Sequence, residues 1–186
     1  MQSITFEDVE DEYTLATKVL PLVPSAGEYD INFDLIDCTA EGPSVSVLTD
    51  AETNMDVLEI SDNSRVSFPI TCNYRYLALH LKNMEKFVAV TILVKCTAGK
   101  VRELTLSNRR SNIIIQENTA AAPMKLGEGW QYLNLDIQQL IYNAFGSEME
   151  TCICVSVHGS ARMSKLYFQE KEYADAELPP YLRLIQ

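Results

Sequence analysis

The fold class this sequence predicts is all-β, an antiparallel β-sandwich or jelly roll with one short helix, and three observations predict it. About ten short segments rich in β-branched and aromatic residues recur at roughly regular spacing between turn residues, the pattern of sandwich strands. A single stretch carries a convincing helical stripe, with Ile137, Leu140, Ile141, Ala144 and Phe145 falling at i, i+3, i+4, i+7 and i+8. No internal repeat, low-complexity tract or linker divides the 186 residues, so one domain is expected over residues 1–186.

The stretch from Pro123 to Ile185 organises the rest. Gly127 and Gly129 punctuate a turn, and Trp130 opens a strand. Gln131, Leu133 and Leu135 share one face of it, and Trp130, Tyr132 and Asn134 the other. Trp130 is expected to anchor the helix to the sheet. Asp136 is a good N-cap, and Gly146 stands where a helix end wants positive φ. Beyond it, Thr151, Ile153, Val155 and Val157 alternate with Cys152, Cys154, Ser156 and His158, predicting the first of two further strands.

Upstream, Phe6 to Glu12 reads as an acidic arm or short edge segment. Tyr13 to Val23 has apolar residues without clean alternation, Pro21 and Pro24 argue for an edge or a turn, and Ser25-Ala26-Gly27 is a turn. Tyr29 to Asp37 shows the cleanest alternation, with Tyr29, Ile31, Phe33 and Leu35 against Asp30, Asn32 and Asp34, and predicts a half-buried strand with an anionic wet face. Val45 and Val47 begin another strand, with a turn at Asp50 to Asn54. Separate strands are predicted at Val57–Ile60 and from Val66 to Cys72 around Ser61–Ser64, then at Leu77–Leu81 and Phe87–Val94. Val101–Leu106 completes a hairpin across Ala98-Gly99, and Ile113–Ile115 is one more short strand.

Charge divides the chain. The formal net charge is −11, yet residues 1–64 hold fifteen acidic side chains against Lys18 alone, and the remainder is slightly basic. The acidic third reads as a solvated surface or as a docking face for a basic partner. No basic stripe exists to neutralise phosphates, which disfavours nucleic acid. No run approaches the ~18 apolar residues of a membrane helix, and Met1-Gln2-Ser3 opens without a basic or apolar leader; no membrane is expected, and the chain is read as intracellular. Five cysteines without paired spacing suit a reducing compartment.

The sequence offers little for catalysis. His80 and His158 are its only histidines, and neither lies in a nucleophile motif. Gly127-Glu128-Gly129 is a turn, not a phosphate loop. Alternation would put Cys152, Cys154 and His158 on one strand face, but the second ligand pair of a zinc site is missing, so they are read as sandwich lining. No catalytic residue, metal or cofactor is expected. Tyr29, Tyr74, Tyr76, Trp130 and Tyr132 could stack on sugars, although one tryptophan is a weak basis for that.

Several ordered motifs carry a resemblance. Pro-Met-Lys-Leu-Gly-Glu-Gly-Trp (123–130), Asn-Ala-Phe-Gly (143–146), Val-Ser-Val-His (155–158), Leu-Tyr-Phe (166–168) and Glu-Leu-Pro-Pro-Tyr-Leu-Arg-Leu (177–184) resemble the cilia- and flagella-associated protein 20 family. Val-Leu-Glu-Ile (57–60), Ile-Thr-Cys (70–72), Lys-Asn-Met-Glu-Lys-Phe (82–87), Val-Arg (101–102) and Ser-Asn (107–108) follow the same order upstream. The likeness runs from Val57 to the end, leaving 1–56 as a divergent acidic part. Other departures are a shorter Cys72–Tyr76 connection, Glu103 and Thr105 in place of arginines, Ser164 interrupting a basic pair, and an acidic rather than basic chain.

The resemblance implies a sandwich similar to carbohydrate-binding modules but without enzyme activity. It implies a place in the cytoplasm and cytoskeleton, in the axoneme of cilia or flagella. There the family bridges the A- and B-tubules at the doublet-microtubule inner junction, alternating with the parkin co-regulated protein. Partners would be tubulin and other inner-junction or luminal proteins. The alternative is a soluble glycan-binding or centriolar adaptor module. Because tubulin's surface is acidic, the residues expected to meet it are Arg102, Arg109, Arg110, Lys125, Arg162 and Lys165.

Overall fold

The computed structural model describes residues 17–184. Ten strands form a single hydrogen-bonded sheet. In chain order they are β1 (Val19–Val23), β2 (Thr39–Glu41), β3 (Ser44–Thr49), β4 (Asp56–Cys72), β5 (Tyr76–Cys96), β6 (Val101–Ser107), β7 (Ile114–Ile115), β8 (Thr119–Pro123), β9 (Gly129–Asp136) and β10 (Met149–Gln169). Helix α1 (Ile137–Phe145) joins β9 to β10. The strand order is β2-β4-β10-β5-β6-β8-β7, with β1 beside β10, β3 beside β4 and β9 beside β5.

Three strands are far longer than the usual 3–10 residues. β4 has 17 residues, and β5 and β10 have 21 each. They bend at one level. Asp62 and Asn63 in β4, Glu85 in β5 and Gly159 in β10 all take positive φ there, and Gly159 is in register with Ser64 and Val88. A side chain at Gly159 would collide with the Phe87 carbonyl, so only glycine lets the strands approach so closely.

The bend folds the sheet into two layers. Leu58, Ile60, Leu77, Leu79, Leu81, Met163 and Phe168 before or after it share one core with Val66, Phe68, Val90, Ile92, Val155 and Val157. The pairs of strands predicted at Val57–Cys72 and at Leu77–Val94, and the two predicted after Gly146, are therefore single strands that cross both layers. Positive-φ residues at their middles read as turns in sequence.

The prediction for β9 and α1 holds closely. The Asp136 carboxylate accepts from the Gln139 N–H at 3.0 Å, and Gly146 ends the helix at φ 61°. Ile137 and Ile141 are fully buried, and Leu140, Ala144 and Phe145 pack against the same core. Leu133 and Leu135 face inward. The predicted hairpin at Ala98-Gly99 is present, with Val94 in register with Arg102.

Three further expectations fail. Tyr29 to Asp37 is not a strand: Phe33–Leu35 is a 3-10 turn, nucleated by Asn32, whose side-chain oxygen accepts from the Asp34 N–H at 3.1 Å. Such local bonds compete with a ladder, and the chance alternation hid them. Trp130 does not hold the helix. It lies on the outer face, stacked on His80 at 4.7 Å between ring centroids. A β-bulge between Cys152 and Cys154 breaks the alternation that grouped them with His158. Cys152 turns into the core, where burial pushes its thiol up to about 12. The reading of Phe6 to Glu12 lies outside the described residues.

The outer face of the first layer has its own cover. Leu178 and Leu182, from the C-terminal motif 177–184, close over Ala78 and Tyr167. Arg183 Nε donates to the Leu178 carbonyl at 2.8 Å, which fastens that segment to itself.

Candidate docking surface

The six cations singled out from sequence divide into two groups. Three are fastened inside the fold. Arg162 donates to Glu59 at 2.6 Å and to Asp50 at 2.7 Å. Burial would raise the Asp50 carboxyl, but hydrogen bonds from Arg162 and from the Thr53 and Glu52 amides, with Lys82 at 3.5 Å, hold it down at about 2. Lys165 is buried and donates to the Tyr181 carbonyl at 2.7 Å; burial lowers its pKa. It thus ties the C-terminal cover to the sheet.

Arg102 is buried too. Its Nη1 donates to the Glu117 carbonyl and, at 2.6 Å, to Asn118 Oδ1, and its guanidinium lies 5.2 Å from the Phe145 ring centre. It therefore clamps the turn between β7 and β8 to α1. Arg102 and Lys165 are buried and closed to a partner, whereas Arg162 is partly exposed with its guanidinium engaged by Glu59 and Asp50.

Arg109, Arg110 and Lys125 come together. β6 ends at Ser107, and the turn that follows is fixed by Asn108. Its side chain accepts from the Val88 N–H at 3.0 Å and donates to the Lys86 carbonyl at 2.7 Å. Arg109 donates to the Glu85 carbonyl at 3.0 Å, which orients its guanidinium across the bend of β5. Met124 donates to the Ser107 carbonyl at 2.9 Å and draws the segment bearing Lys125 alongside. The result is an open groove of about 680 Å³ whose walls include Asn83, Glu85, Asn108, Arg109, Arg110 and Lys125.

A smaller hollow of about 350 Å³ continues from it, between Arg109, Arg110, Phe87 and Ile114. Cations along an apolar rim suit an acidic protein surface. Sequence reading found the cations but not the neighbouring isoleucines. The signal was present as Ile113-Ile114-Ile115, an apolar run without a partner stripe.

The aromatic residues do not form one platform. Tyr29 is exposed in the acidic loop, and Tyr74 packs on the main core. Trp130 lies against His80, and Tyr132 meets the Tyr167 hydroxyl at 3.3 Å. Burial and the nearby Lys165 keep the His80 imidazole below its ordinary pKa, and its Nδ1 lies 2.6 Å from Ser164 Oγ. Ser164, the residue that interrupts the basic pair, thus completes a polar contact within the fold.

Fold and surface define an all-β sandwich on which cations and apolar side chains meet at a loop groove. The chain belongs to the CFA20 domain family, whose model matches residues 14–186. The match therefore reaches well upstream of Val57 and takes in most of the acidic third. Among curated relatives, Cilia- and flagella-associated protein 20 of Chlamydomonas reinhardtii is 26% identical over 147 residues, covering 74% of this chain and 77% of that one. The protein of the same name from Caenorhabditis elegans is 23% identical over 158 residues, covering 80% and 78%. Among solved structures, the family 11 carbohydrate-binding module of a Clostridium thermocellum cellulase aligns with a TM-score of 0.47 and 8% identity, covering 85% of this chain and 98% of the module.

Proposed function

We propose that this chain is a non-enzymatic structural protein of the cilium or flagellum, associated with the axonemal doublet microtubule. The observation that carries this reading is membership of the CFA20 domain family over residues 14–186, with relatives named for cilia and flagella. Within it, the finer role is to bridge or seal the inner junction, touching tubulin and neighbouring luminal proteins such as the parkin co-regulated protein.

The groove of Arg109, Arg110 and Lys125 is the surface that meets tubulin. An acidic lattice attracts these cations and repels the exposed acids Glu28, Asp30, Asp34, Asp37 and Glu41, so the molecule is oriented as well as held. The test is co-sedimentation of purified protein with isolated doublets. Wild type is expected in the pellet, and Arg109→Glu with Arg110→Glu is expected to shift it to the supernatant while its melting temperature stays unchanged. Equal pelleting of both proteins would contradict the assigned surface.

A further inference from the structure

The two outermost strands of the seven-strand path are complementary. β2 pairs only with β4, and β7 only with β8, so each leaves one edge without a strand beside it among the described residues. The edges lie at the ends of one cross-strand row. Thr39 is in register with Ser67, Ser67 with Ser156, Ser156 with Thr91, Thr91 with Thr105, Thr105 with Ala121, and Ala121 with Ile114. Hydroxyl contacts of 2.8 Å between Ser67 and Ser156 and of 3.0 Å between Thr91 and Thr105 tie this row together.

Strand direction makes the edges fit. Every pairing along the path is antiparallel except that of β6 with β8. Counting along it, β7 runs opposite to β2. A second copy displaced sideways without rotation therefore sets its β2 antiparallel to β7 of the first, and the sheet continues.

Side chains favour the same contact. Natural edges are blunted by charge, proline or cover. β7 is short, at two residues, but it bears no charge or proline and is uncovered among the described residues: Ile113, Ile114 and Ile115 are 67%, 48% and 52% exposed. Arg109 and Arg110 line one hollow with Ile114, and Glu117 in the adjoining turn is the acid nearest in sequence. The opposite edge bears Asp34, Asp37 and Glu41, all exposed, with Leu35 55% and Tyr29 60% exposed in the preceding loop. Arg65, in register with Glu41, is the cation of that edge. Apolar side chains rimmed with cations thus stand at one end of the row, and apolar side chains rimmed with acids at the other.

We infer that the β7 edge of one copy docks on the β2 edge of another, giving a head-to-tail file of this chain. Such a contact is heterologous: it leaves a β2 edge and a β7 edge open at the ends, so it extends instead of closing as a dimer. The inference goes beyond the junction reading and is tested without cilia. In the alternating arrangement implied by the family resemblance, each edge would face a different protein instead.

The experiment is sedimentation velocity on three purified full-length proteins: wild type, Ile114→Lys with Ile115→Lys, and Asp37→Lys with Glu41→Lys. All substituted side chains are exposed, and circular dichroism melts check that the variants are folded. Wild type is expected to grow in mass with concentration beyond a dimer. Each variant alone is expected to stay monomeric. An equimolar mixture of the variants is expected to form heterodimers, because one keeps an intact β2 edge and the other an intact β7 edge. Wild type that stays monomeric at every concentration overturns the inference. So does a wild type that stops at a dimer while the Asp37→Lys, Glu41→Lys protein still dimerises, since that marks a two-fold β7 contact.

Discussion

Arg162 reaches across the outer face so that its Nη1 lies 2.7 Å from Oδ2 of Asp50, a carboxylate with no exposed surface. Glu59 and Lys82 complete the cluster, which joins the turn after β3 to β4, β5 and β10. The folded carboxyl takes its proton only near pH 2, whereas an unfolded aspartate does so near 3.8. Between those values the unfolded chain binds more protons, so this contribution is complete above pH 3.8 and is lost as pH falls through about 2. Its size is on the order of 2 kcal/mol at neutral pH. Urea unfolding of Asp50→Asn at pH 7 is expected to show a loss of about that size or more, because Arg162 and Lys82 lose their buried partner. The deficit relative to wild type should narrow below pH 3; a deficit that does not change with pH would contradict this assignment.

Trp130 and Phe68 make a useful contrast. Phe68 is fully buried between the layers, so Phe68→Ala is expected to cost about 3–5 kcal/mol. Trp130 is half-buried outside the core against His80. Trp130→Ala should cost clearly less, about 1–2 kcal/mol, from lost stacking and partial burial. Denaturant midpoints that rank Trp130→Ala as the more damaging change would restore Trp130 to a core role.

Much of the fold was legible where a short pattern is fixed by local chemistry. Asp136, the stripe from Ile137 to Phe145, and Gly146 each act within a turn or two, so α1 reads directly from sequence. The long strands did not read as such, because Asp62-Asn63, Glu85 and Gly159 carry turn-like conformations while the ladder continues past them. Only pairing between distant strands decides that they are bends. Tyr29 to Asp37 failed in the opposite sense, since alternation without a partner strand is not a strand. Half of the proposed site was visible. Arg109-Arg110 and Lys125 could be seen as basic loop positions, whereas the engagement of Arg102, Arg162 and Lys165 within the fold depends on Glu117, Asp50 and Tyr181, remote in sequence.

Gly159 should tolerate no side chain. Its φ of 113° and the Phe87 carbonyl beside it leave no room for Cβ. Gly159→Ala is expected to lose about 1–3 kcal/mol by overpacking at the bend. Gly27, at φ 78° with open space around it, provides the control: Gly27→Ala should cost only its backbone strain. Thermal melts that rank the two changes equally would remove the close approach as the reason for the bend.

Arg102 is expected to govern the order of the β7–β8 hairpin. Arg102→Gln removes the contacts with Glu117 and Asn118 and the Phe145 stacking. Amide exchange at Gln116, which donates to the Thr119 carbonyl at 2.8 Å, should quicken, while the amides of β10 keep their protection. Unchanged exchange at Gln116 would show that the hairpin holds without its clamp.

A structural protein on the ciliary doublet with its basic groove against tubulin should be visible by cryo-electron tomography of doublets carrying a tagged copy of this chain. Density is expected at the inner junction, with Arg109, Arg110 and Lys125 facing the tubulin wall and the Phe33–Glu41 edge turned away from it. Absence of the tag from the doublet, or the acidic edge lying on tubulin with Arg109 and Arg110 pointing into open lumen, would contradict it.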